Sequence, residues 1–290
     1  MADSKTTSTA NRAAIRKLQI SAGRELAGLL AGACRSRFRG QGMEFSDLRP
    51  YQPGDDIRRI DWSATARTGL PYTRIYEEER SRSITLLADI SLSCSPAKRQ
   101  LLYETAGLLA FAAVAGGDRI ALIAFSDRVE RLVRPGRGVR QAQRIAGELL
   151  TLRPTGSGTD LQPALHAARG LNRRPGLLIL LSDLHCTVPL PLFREIAAKH
   201  DLVTLLLRDA DEVTPPAAGL TLFQDAETAE LRLLDLTSQK IRAAITKNWQ
   251  SCDDELRQNL QKIRTRSTFL QSDRPPLPEL IRLFRQEGRR

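Results

Sequence analysis

Three small oxygen-bearing side chains follow an apolar run in the first third of the chain. Asp89, Ser91 and Ser93 alternate with other residues directly after the run Ile-Thr-Leu-Leu-Ala at 84–88. The run predicts a buried strand, and oxygens two residues apart on the turn after it can converge on one point. A hard divalent ion such as Mg²⁺ prefers oxygen ligands in near-octahedral geometry. Because Asp and Ser are also common turn and cap residues, this pattern alone is weak.

Two further elements downstream carry compatible chemistry in a compatible order. The Gly-rich stretch 155–160 presents Thr159 just before a predicted helix, and the run 177–181 predicts a second buried strand that ends near Asp183. In an open parallel sheet the carboxyl ends of the strands share one edge, and ligands collect in the crevice there. We therefore expect the following side chains to meet: Asp89, Ser91, Ser93, Thr159 and Asp183.

This set of elements resembles the metal-ion-dependent adhesion site of von Willebrand factor type A domains, with all five usual positions filled. The resemblance implies that Ser91, Ser93 and Thr159 contact the ion directly, whereas Asp89 and Asp183 hold its water ligands. It also implies Mg²⁺ as the ion, with Mn²⁺ or Ca²⁺ as alternatives. A shell of hydroxyls and waters leaves most of the ion's charge unneutralised, so an open position attracts the carboxylate of an acidic partner.

A second resemblance covers the segment that precedes this domain. The stretches 38–45, 48–62, 66–67 and 77–80 are similar to the signature of the bacterial family called domain of unknown function 58, and the likeness runs over nearly the whole chain. That family couples the signature to a type A domain. Its members resemble partners of MoxR-type AAA+ ATPases, which implies an adaptor in chaperone-like remodelling or maturation of other proteins. An acidic protein ligand or client would then complete the ion's coordination.

The signature segment concentrates charges of both signs around one aromatic residue. Arginine forks pair bidentately with carboxylates, so the cluster can be an ion-paired subdomain that only stabilises the fold. It can equally be a surface that recruits a partner, and the sequence leaves both readings open. The residues singled out are Glu44, Arg49, Asp55, Asp56, Arg58, Asp61, Trp62 and Arg67.

Alternating strands and helices from residue 83 onward indicate an α/β fold with a mainly parallel sheet covered on both faces. The pair 119–125 and 128–133 predicts one antiparallel edge strand, as in the Rossmann-like type A domain that the resemblance implies. We expect a disordered head at 1–12, an N-terminal helix and accessory region at 13–82, and a type A-like domain with C-terminal helices at 83–290. The other predicted strands are 72–76, 83–88, 177–181, 202–207 and 220–223. The predicted helices are 13–32, 96–114, 139–150, 162–170, 190–199, 237–263 and 277–284, together with a short helix that is capped by Asp55 or Asp56 and runs through Ile60, Trp62 and Ala66.

The charge, the apolar runs and the cysteines of the chain indicate which partners and which cellular compartment to expect. The formal charge is +11, but the basic residues are spread along the chain, so we expect solvated surface and no specific nucleic acid. The longest uncharged run, 105–117, is too short to span a bilayer and the head of the chain is polar, which indicates a cytoplasmic protein without a membrane span. The cysteines form no Cys-x-x-Cys pair, although a soft site at Cys94, Cys186 and His185 is conceivable.

Catalysis is the rival class of function. Phosphoryl transfer to Asp89 in the manner of haloacid dehalogenase-type phosphatases needs an acidic residue two positions later, where this chain has Ser91. No nucleophile-elbow or phosphate-binding-loop motif is present in the sequence. We therefore expect no enzymatic activity. The alternatives to an adaptor are a structural scaffold with a vestigial metal site and nonspecific nucleic-acid binding through basic surface.

Overall fold

The structure, a computed structural model, describes residues 15, 16, 18, 24–37, 43–78, 83–156, 158–224, 231–263 and 265–285. The expected disordered head at 1–12 lies outside them. The described residues form an α/β fold whose central six-stranded sheet is mostly parallel and is flanked by helices. The predicted fold class is confirmed at this level.

The elements follow one another in a mostly alternating order. They are α1 (Arg24–Arg37), β1 (Met43–Pro50), a 3-10 helix (Ile57–Arg59), α2 (Trp62–Thr68), β2 (Tyr72–Glu78), β3 (Ser83–Asp89), α3 (Pro96–Ala115), β4 (Arg119–Phe125), β5 (Val129–Gly136), α4 (Val139–Thr151), α5 (Leu161–Leu171), β6 (Leu177–Ser182), α6 (Leu190–Lys199), β7 (Asp201–Arg208), α7 (Ala210–Val213), β8 (Leu220–Gln224), β9 (Leu231–Asp235), α8 (Gln239–Lys262), β10 (Arg266–Gln271) and α9 (Pro276–Arg285).

The central sheet has the strand order β10-β7-β6-β3-β4-β5. Its strands are parallel except β5, which runs antiparallel to β4 at one edge, so the predicted antiparallel edge strand is confirmed. The inner strands β3, β4 and β6 are almost completely buried, as their unbroken apolar runs predict for a sheet covered on both faces.

Two hydrophobic clusters lie on opposite faces of this sheet. Helices α1, α3, α4 and α9 contribute to one cluster, and α5, α6 and the C-terminal end of α8 contribute to the other. Helix α3 is apolar nearly all round because it packs against α1 and α9 as well as against the sheet. Leu18, which precedes α1, packs closely against Gly107 of α3, where a Cβ would lie 2.5 Å from Cδ1 of Leu18.

A separate antiparallel pair, β1 with β2, precedes the central sheet. The sequence predicted β2 but not β1, whose charged residues hide its extended pattern. The single helix predicted to run from an Asp55 or Asp56 cap through Ala66 forms as two elements, a 3-10 helix that Asp56 does cap and then α2. The Asp61 side chain accepts hydrogen bonds from the backbone N–H groups of Ser63 and Ala64, which starts a new helix there.

Two strands were missed near the C-terminal end of the chain. β9 forms a hairpin with β8 outside the central sheet. β10 pairs in parallel with β7 at the edge of that sheet, and its largely polar sequence Arg-Ser-Thr-Phe-Leu-Gln carries little of the apolar signal that marks inner strands. Among the described residues no helix combines the length and the apolar character needed to cross a membrane.

Candidate metal centre

The candidate site lies where the strand order of the central sheet reverses. The chain runs from β3 to β4 on one side and later returns to β6 on the other side of β3. Connections that leave in opposite directions open a crevice at the carboxyl ends of the two strands. Asp89 ends β3 and Asp183 directly follows β6, with Ala88 opposite Leu181 in the parallel register.

Asp89 and the two serines form a directly bonded group. The Oδ1 of Asp89 accepts from the backbone N–H of Ser91 at 3.0 Å and its Oδ2 accepts from the Ser182 hydroxyl at 2.6 Å. The hydroxyl oxygens of Ser91 and Ser93 are 2.9 Å apart. Adjacent ligands of an octahedral Mg²⁺ are separated by about 3 Å, given bonds of about 2.1 Å. The two hydroxyls therefore have the spacing of neighbouring metal ligands. Both carboxylate oxygens of Asp89 already accept hydrogen bonds, so Asp89 fits the role of holding a water ligand of the ion and not of contacting the ion itself.

Burial shifts the protonation equilibrium of Asp89. Burial raises its pKa to about 6, the hydrogen bonds from Ser182 and Ser91 oppose this rise, and the charge of Asp183 adds to it. Two carboxylates close enough to repel each other attract a cation. A divalent ion held by the serine hydroxyls would favour the ionised form of Asp89.

A buried lysine, which the sequence prediction missed, already provides one cation. Lys98 is 3 % exposed, and its Nζ lies 3.0 Å from carboxylate oxygens of both Asp183 and Glu212. Burial alone would lower the pKa of Lys98, but the two carboxylates outweigh it and raise the pKa above its ordinary value. Its position in the first turn of α3, where the helix dipole disfavours a cation, is the signal that could have drawn attention to it.

Glu130 holds the loop that carries Thr159. Its carboxylate accepts from the hydroxyl of Ser126 at 2.6 Å, from the N–H and hydroxyl of Thr155 at 2.9 and 2.7 Å, and from the N–H of Gly156 at 2.8 Å. Burial raises the pKa of Glu130, but these hydrogen bonds have the larger effect and lower its pKa to about 2. Sequence reasoning missed Glu130, because the loop residues that it holds, Thr155 and Gly156, lie 25 and 26 residues away in the chain.

The same loop packs closely at Gly156. A Cβ there would lie 2.0 Å from Oδ1 of Asp127 and 2.4 Å from Oγ of Ser126, so a larger residue would displace these two side chains. Further along, the backbone N–H of Asp160 donates to the carbonyl of Ser126 at the end of β4. Because β4 is the neighbour of β3, the half-buried Thr159 comes to the same edge of the sheet as Asp89.

The residues present fit a hydroxyl-rich ion site. Ser91 and Ser93 adjoin Asp89, Asp183 is near enough to shift the pKa of Asp89, and Thr159 lies on a loop anchored at the adjacent strand end. Within the described ranges, no group of three or more His, Cys, Asp or Glu side chains could hold a metal ion. The candidate site is of another kind, with hydroxyls and two carboxylates, so its occupation by a metal stays a prediction.

The soft-ligand alternative is disfavoured by the surroundings of its residues. Burial raises the pKa of Cys94 to about 12, which keeps it a neutral thiol at pH 7. Burial also lowers the pKa of His185, and its ring contacts Trp249 edge to face at 4.5 Å. Cys94 is therefore not prepared as a thiolate ligand, and the His185 ring is neutral at pH 7 and packs against Trp249.

Arg208 joins the site to α8. Its Nη1 donates to the backbone carbonyl of Asp183 at 2.7 Å, and its Nε and Nη2 donate to Asp253 at 2.9 and 2.6 Å. The guanidinium also lies over the rings of Trp249 and Phe269. Arg208 is the last residue of β7, and nothing in the sequence around it predicts these contacts.

The charged residues of the signature segment serve mainly as local caps and ion pairs. Asp55 pairs with Arg49 at 2.6 Å, and the backbone N–H of Gln52 and then Arg49 lower its pKa. Asp61 caps α2 and pairs with Arg74 at 3.0 Å.

The rest of the signature is more exposed. Asp56 caps the 3-10 helix through the N–H of Arg58, and Arg67 donates to the carbonyl of Ser63. Trp62 is 67 % exposed, and it does not lie at the centre of the ion pairs as the sequence suggested. Glu44 lies opposite Glu77 in the β1–β2 pair, and its side chain is outside the described part.

A family model for proteins of unknown function, DUF58, matches residues 47–254. The chain belongs to the DUF58 family. The match includes the signature segment from Asp47 onward, the candidate metal centre and most of α8. The predicted membership of the DUF58 family is thereby confirmed, and the type A domain stays a prediction.

Mycobacterial relatives support this DUF58 assignment. Uncharacterised proteins of Mycobacterium tuberculosis and Mycobacterium bovis are each 34 % identical over 234 residues, which cover 76 % of this chain and 72 % of the relative. An uncharacterised protein of Mycobacterium avium is 26 % identical over 140 residues, or 47 % of this chain and 80 % of the relative.

Solved structures resemble this DUF58 protein more distantly. BatB from Bacteroides thetaiotaomicron is similar with a TM-score of 0.43 and 11 % identity, covering 72 % of this chain and all of that one. An aerotolerance-related membrane protein from Bacteroides fragilis is similar with a TM-score of 0.43 and 12 % identity, covering 71 % of this chain and all of that one. Likenesses of this size do not bear on function or location.

Proposed function

We propose that this protein is a cytoplasmic, Mg²⁺-dependent protein-binding adaptor that acts with a MoxR-type AAA+ ATPase. Its binding unit is a von Willebrand factor type A-like domain. The observation that carries the proposal is the group of Asp89, Ser91 and Ser93 at the strand-order reversal, with Asp183 and the Thr159 loop at the neighbouring strand ends. Ser91, Ser93 and Thr159 would hold the ion, and Asp89 and Asp183 would orient its waters.

The chemistry of the site supports binding without catalysis. A bound dication would supply a position for an incoming carboxylate, because hydroxyl ligands leave its charge largely uncompensated. The protein's own residues prepare that position: Ser182 and the N–H of Ser91 hold Asp89, and Glu130 holds the loop of Thr159. An acidic residue of the ATPase or of its client is the expected ligand.

Metal binding is tested first on the isolated protein. Mg²⁺ at 100 times its dissociation constant should raise the free energy of unfolding by about 2.7 kcal/mol, because the ion binds only the native state. The variants Asp89→Ala and Ser91→Ala/Ser93→Ala should lose this increment, whereas Ser251→Ala on the exposed side of α8 should keep it. Urea unfolding with Mg²⁺ and with EDTA measures the increment. Equal stability in the two buffers for the unmodified protein would exclude the metal site.

Partner binding is tested with a purified MoxR-type ATPase. The ATPase itself uses Mg²⁺ with its nucleotide, so removal of the ion is ambiguous and the variants decide the outcome. We expect Asp89→Ala and Asp183→Ala to weaken the complex at least tenfold in surface plasmon resonance, with Ser251→Ala unchanged. Binding that all variants retain would exclude the metal-mediated mode.

A structural scaffold is the second candidate function, and Lys98 favours it. Its ammonium already pairs with Asp183 and Glu212, so the crevice has a built-in cation. On this alternative the site stabilises the fold, and partner binding is indifferent to Mg²⁺ and to Asp89→Ala. Nonspecific nucleic-acid binding, a third outcome, predicts association that falls steeply with salt whether or not the ion is present.

A further inference from the structure

A groove runs along the open edge of β10, the last strand of the central sheet. β10 pairs only with β7 among the described strands, so its other edge faces the groove. The cavity has a volume of about 550 Å³ and is lined by five consecutive β10 residues, 267–271, together with residues of α8, of the turn before α9 and of α9 itself. We call this feature the β10 groove.

The two helices form the walls of the β10 groove because the side chains of β10 alternate between the faces of the sheet. Leu270 packs in the cluster that contains Leu280 and Phe284 of α9. Phe269 packs in the opposite cluster with Leu256 of α8. The groove therefore has the width of a sheet edge between two covering layers, which is the space that an added strand occupies.

The two edges of the central sheet differ in how they are protected. β5, the opposite edge, carries Glu130, Arg131 and Arg134, and its pairing with β4 shifts register twice. Charges and bulges of this kind discourage pairing with another chain. β10 is uncharged over 267–271 and pairs with β7 in an unbroken register. An edge without these protections is suited to receive a strand.

The rim of the β10 groove is basic. Three of its lining residues are arginines, Arg257, Arg274 and Arg282, and Glu279 is the one acidic lining residue. The guanidinium of Arg257 lies 4.4 Å from the centre of the Phe269 ring, which orients it beside the strand. These arginines also pair with nearby acids, but the pairs are exposed and such pairs contribute little, so an incoming carboxylate can replace them.

We propose that the β10 groove binds an extended acidic peptide segment of a partner protein, which adds to the sheet as a strand beside β10. Backbone hydrogen bonds to residues 267–271 supply affinity over about 16 Å, at about 3.3 Å per residue. Carboxylates of the segment pair with Arg257, Arg274 and Arg282. This site is separate from the metal centre, so peptide binding does not depend on Mg²⁺.

Peptides of defined composition test the charge requirement. The probe is a fluorescein-labelled ten-residue peptide of alternating Asp and Val, compared with its Lys and Val counterpart by fluorescence anisotropy in EDTA. We expect the acidic probe to bind and the basic probe not to bind. The variant Arg257→Glu/Arg274→Glu should weaken binding at least tenfold, whereas Arg140→Glu/Arg173→Glu, an equal charge change at exposed positions elsewhere, should leave it within twofold. Equal losses in both variants would overturn the proposal.

Backbone methylation tests the strand geometry. An added strand bonds to its neighbour through alternate residues. N-methylation of the amides of one residue type, all Asp or all Val, should therefore abolish binding while methylation of the other type is tolerated. Retention of binding by both methylated probes would show a purely electrostatic contact and overturn the proposal. Urea unfolding of each variant establishes that the fold is intact.

Binding of nucleic acid or of a second copy of the chain in the β10 groove would overturn the proposal. A single-stranded 20-nucleotide DNA that binds more tightly than the acidic probe, and loses affinity in Arg257→Glu/Arg274→Glu, would assign the groove to nucleic acid. A dimer in analytical ultracentrifugation that this variant dissociates would assign the edge to a second copy of the chain.

Discussion

At the scale of single residues, the candidate metal centre depends on how buried charges are compensated. Asp183 is buried and has Lys98 as its ion-pair partner, while Asp89 is stabilised by hydrogen bonds alone. A buried pair attracts strongly, but each charge is costly when its partner is removed. Lys98 therefore stabilises the metal-free crevice. It also competes with a metal ion for the negative charge of the Asp183 carboxylate.

Replacement of this lysine should expose the competition. Lys98→Met keeps the apolar stem but leaves the buried Asp183 and the half-buried Glu212 without their cation, which should lower the free energy of unfolding in EDTA by about 3 kcal/mol. Saturating Mg²⁺ should restore part of this loss, so the increment from Mg²⁺ is larger in the variant than in the unmodified protein. Urea unfolding with and without the ion measures both quantities, and Lys199→Met at an exposed position is the control. An equal increment in both proteins would contradict the competition.

At the scale of elements, α8 is attached to the sheet by few contacts. Leu260 is its one fully buried residue, near the C-terminal end. Further toward the N-terminus the pair of Asp253 with the buried Arg208 ties the helix to the carbonyl of Asp183. The pair of Asp253 with Arg208 therefore adds to the contacts of Trp249, Leu256 and Leu260 in holding α8 beside the site.

Neighbouring aspartates on α8 provide a matched comparison. Asp253→Asn leaves the buried guanidinium of Arg208 without its carboxylate and should lower the free energy of unfolding by about 3 kcal/mol. Asp254→Asn breaks only the exposed pair with Arg257 and should change it by less than about 1 kcal/mol. Urea denaturation of the two variants side by side measures the difference. Similar losses in both would mean that Arg208 does not anchor the helix.

At the scale of the whole molecule, the fold encloses a histidine whose ring has no hydrogen-bond partner among the described residues. His200 is 1 % exposed, and within the described chain neither ring nitrogen has a partner. Burial, together with the charge of Lys199, lowers its pKa to about 4. The unfolded chain, with an ordinary pKa near 6.5, binds a proton more readily between these values, so acid favours unfolding.

The predicted pH dependence follows from this sign. The contribution of neutral His200 is complete above about pH 6.5 and is lost as the pH falls toward 4. From pH 7 to pH 5 the unmodified protein should lose about 1–2 kcal/mol more unfolding free energy than His200→Leu, which cannot take up the proton. His166→Leu, at an exposed position, should behave like the unmodified protein. Urea unfolding at both pH values measures the effect, and parallel losses in all three proteins would contradict it.

Much of the central sheet could be predicted because its inner strands are apolar over their full length. Runs such as 177–181 are buried in any fold that hides them on both faces, and the turn residues that follow must then lie at a strand end. For this reason Asp89 and Asp183 could be assigned to one edge of the sheet before the structure was known. The polar edge strands β1 and β10 could not be found in this way.

The sequence by itself determined the family, the α/β class and the strand-end positions of the candidate ligands, since these follow from local pattern. Only the tertiary structure decided that Lys98 pairs with Asp183, 85 residues away, and that Glu130 holds the loop of Thr159. It also decided that β10 pairs with a single strand among the described residues and lies between α8 and α9. Such contacts join distant parts of the chain, and no local pattern encodes which parts the crossing of strands and helices will bring together.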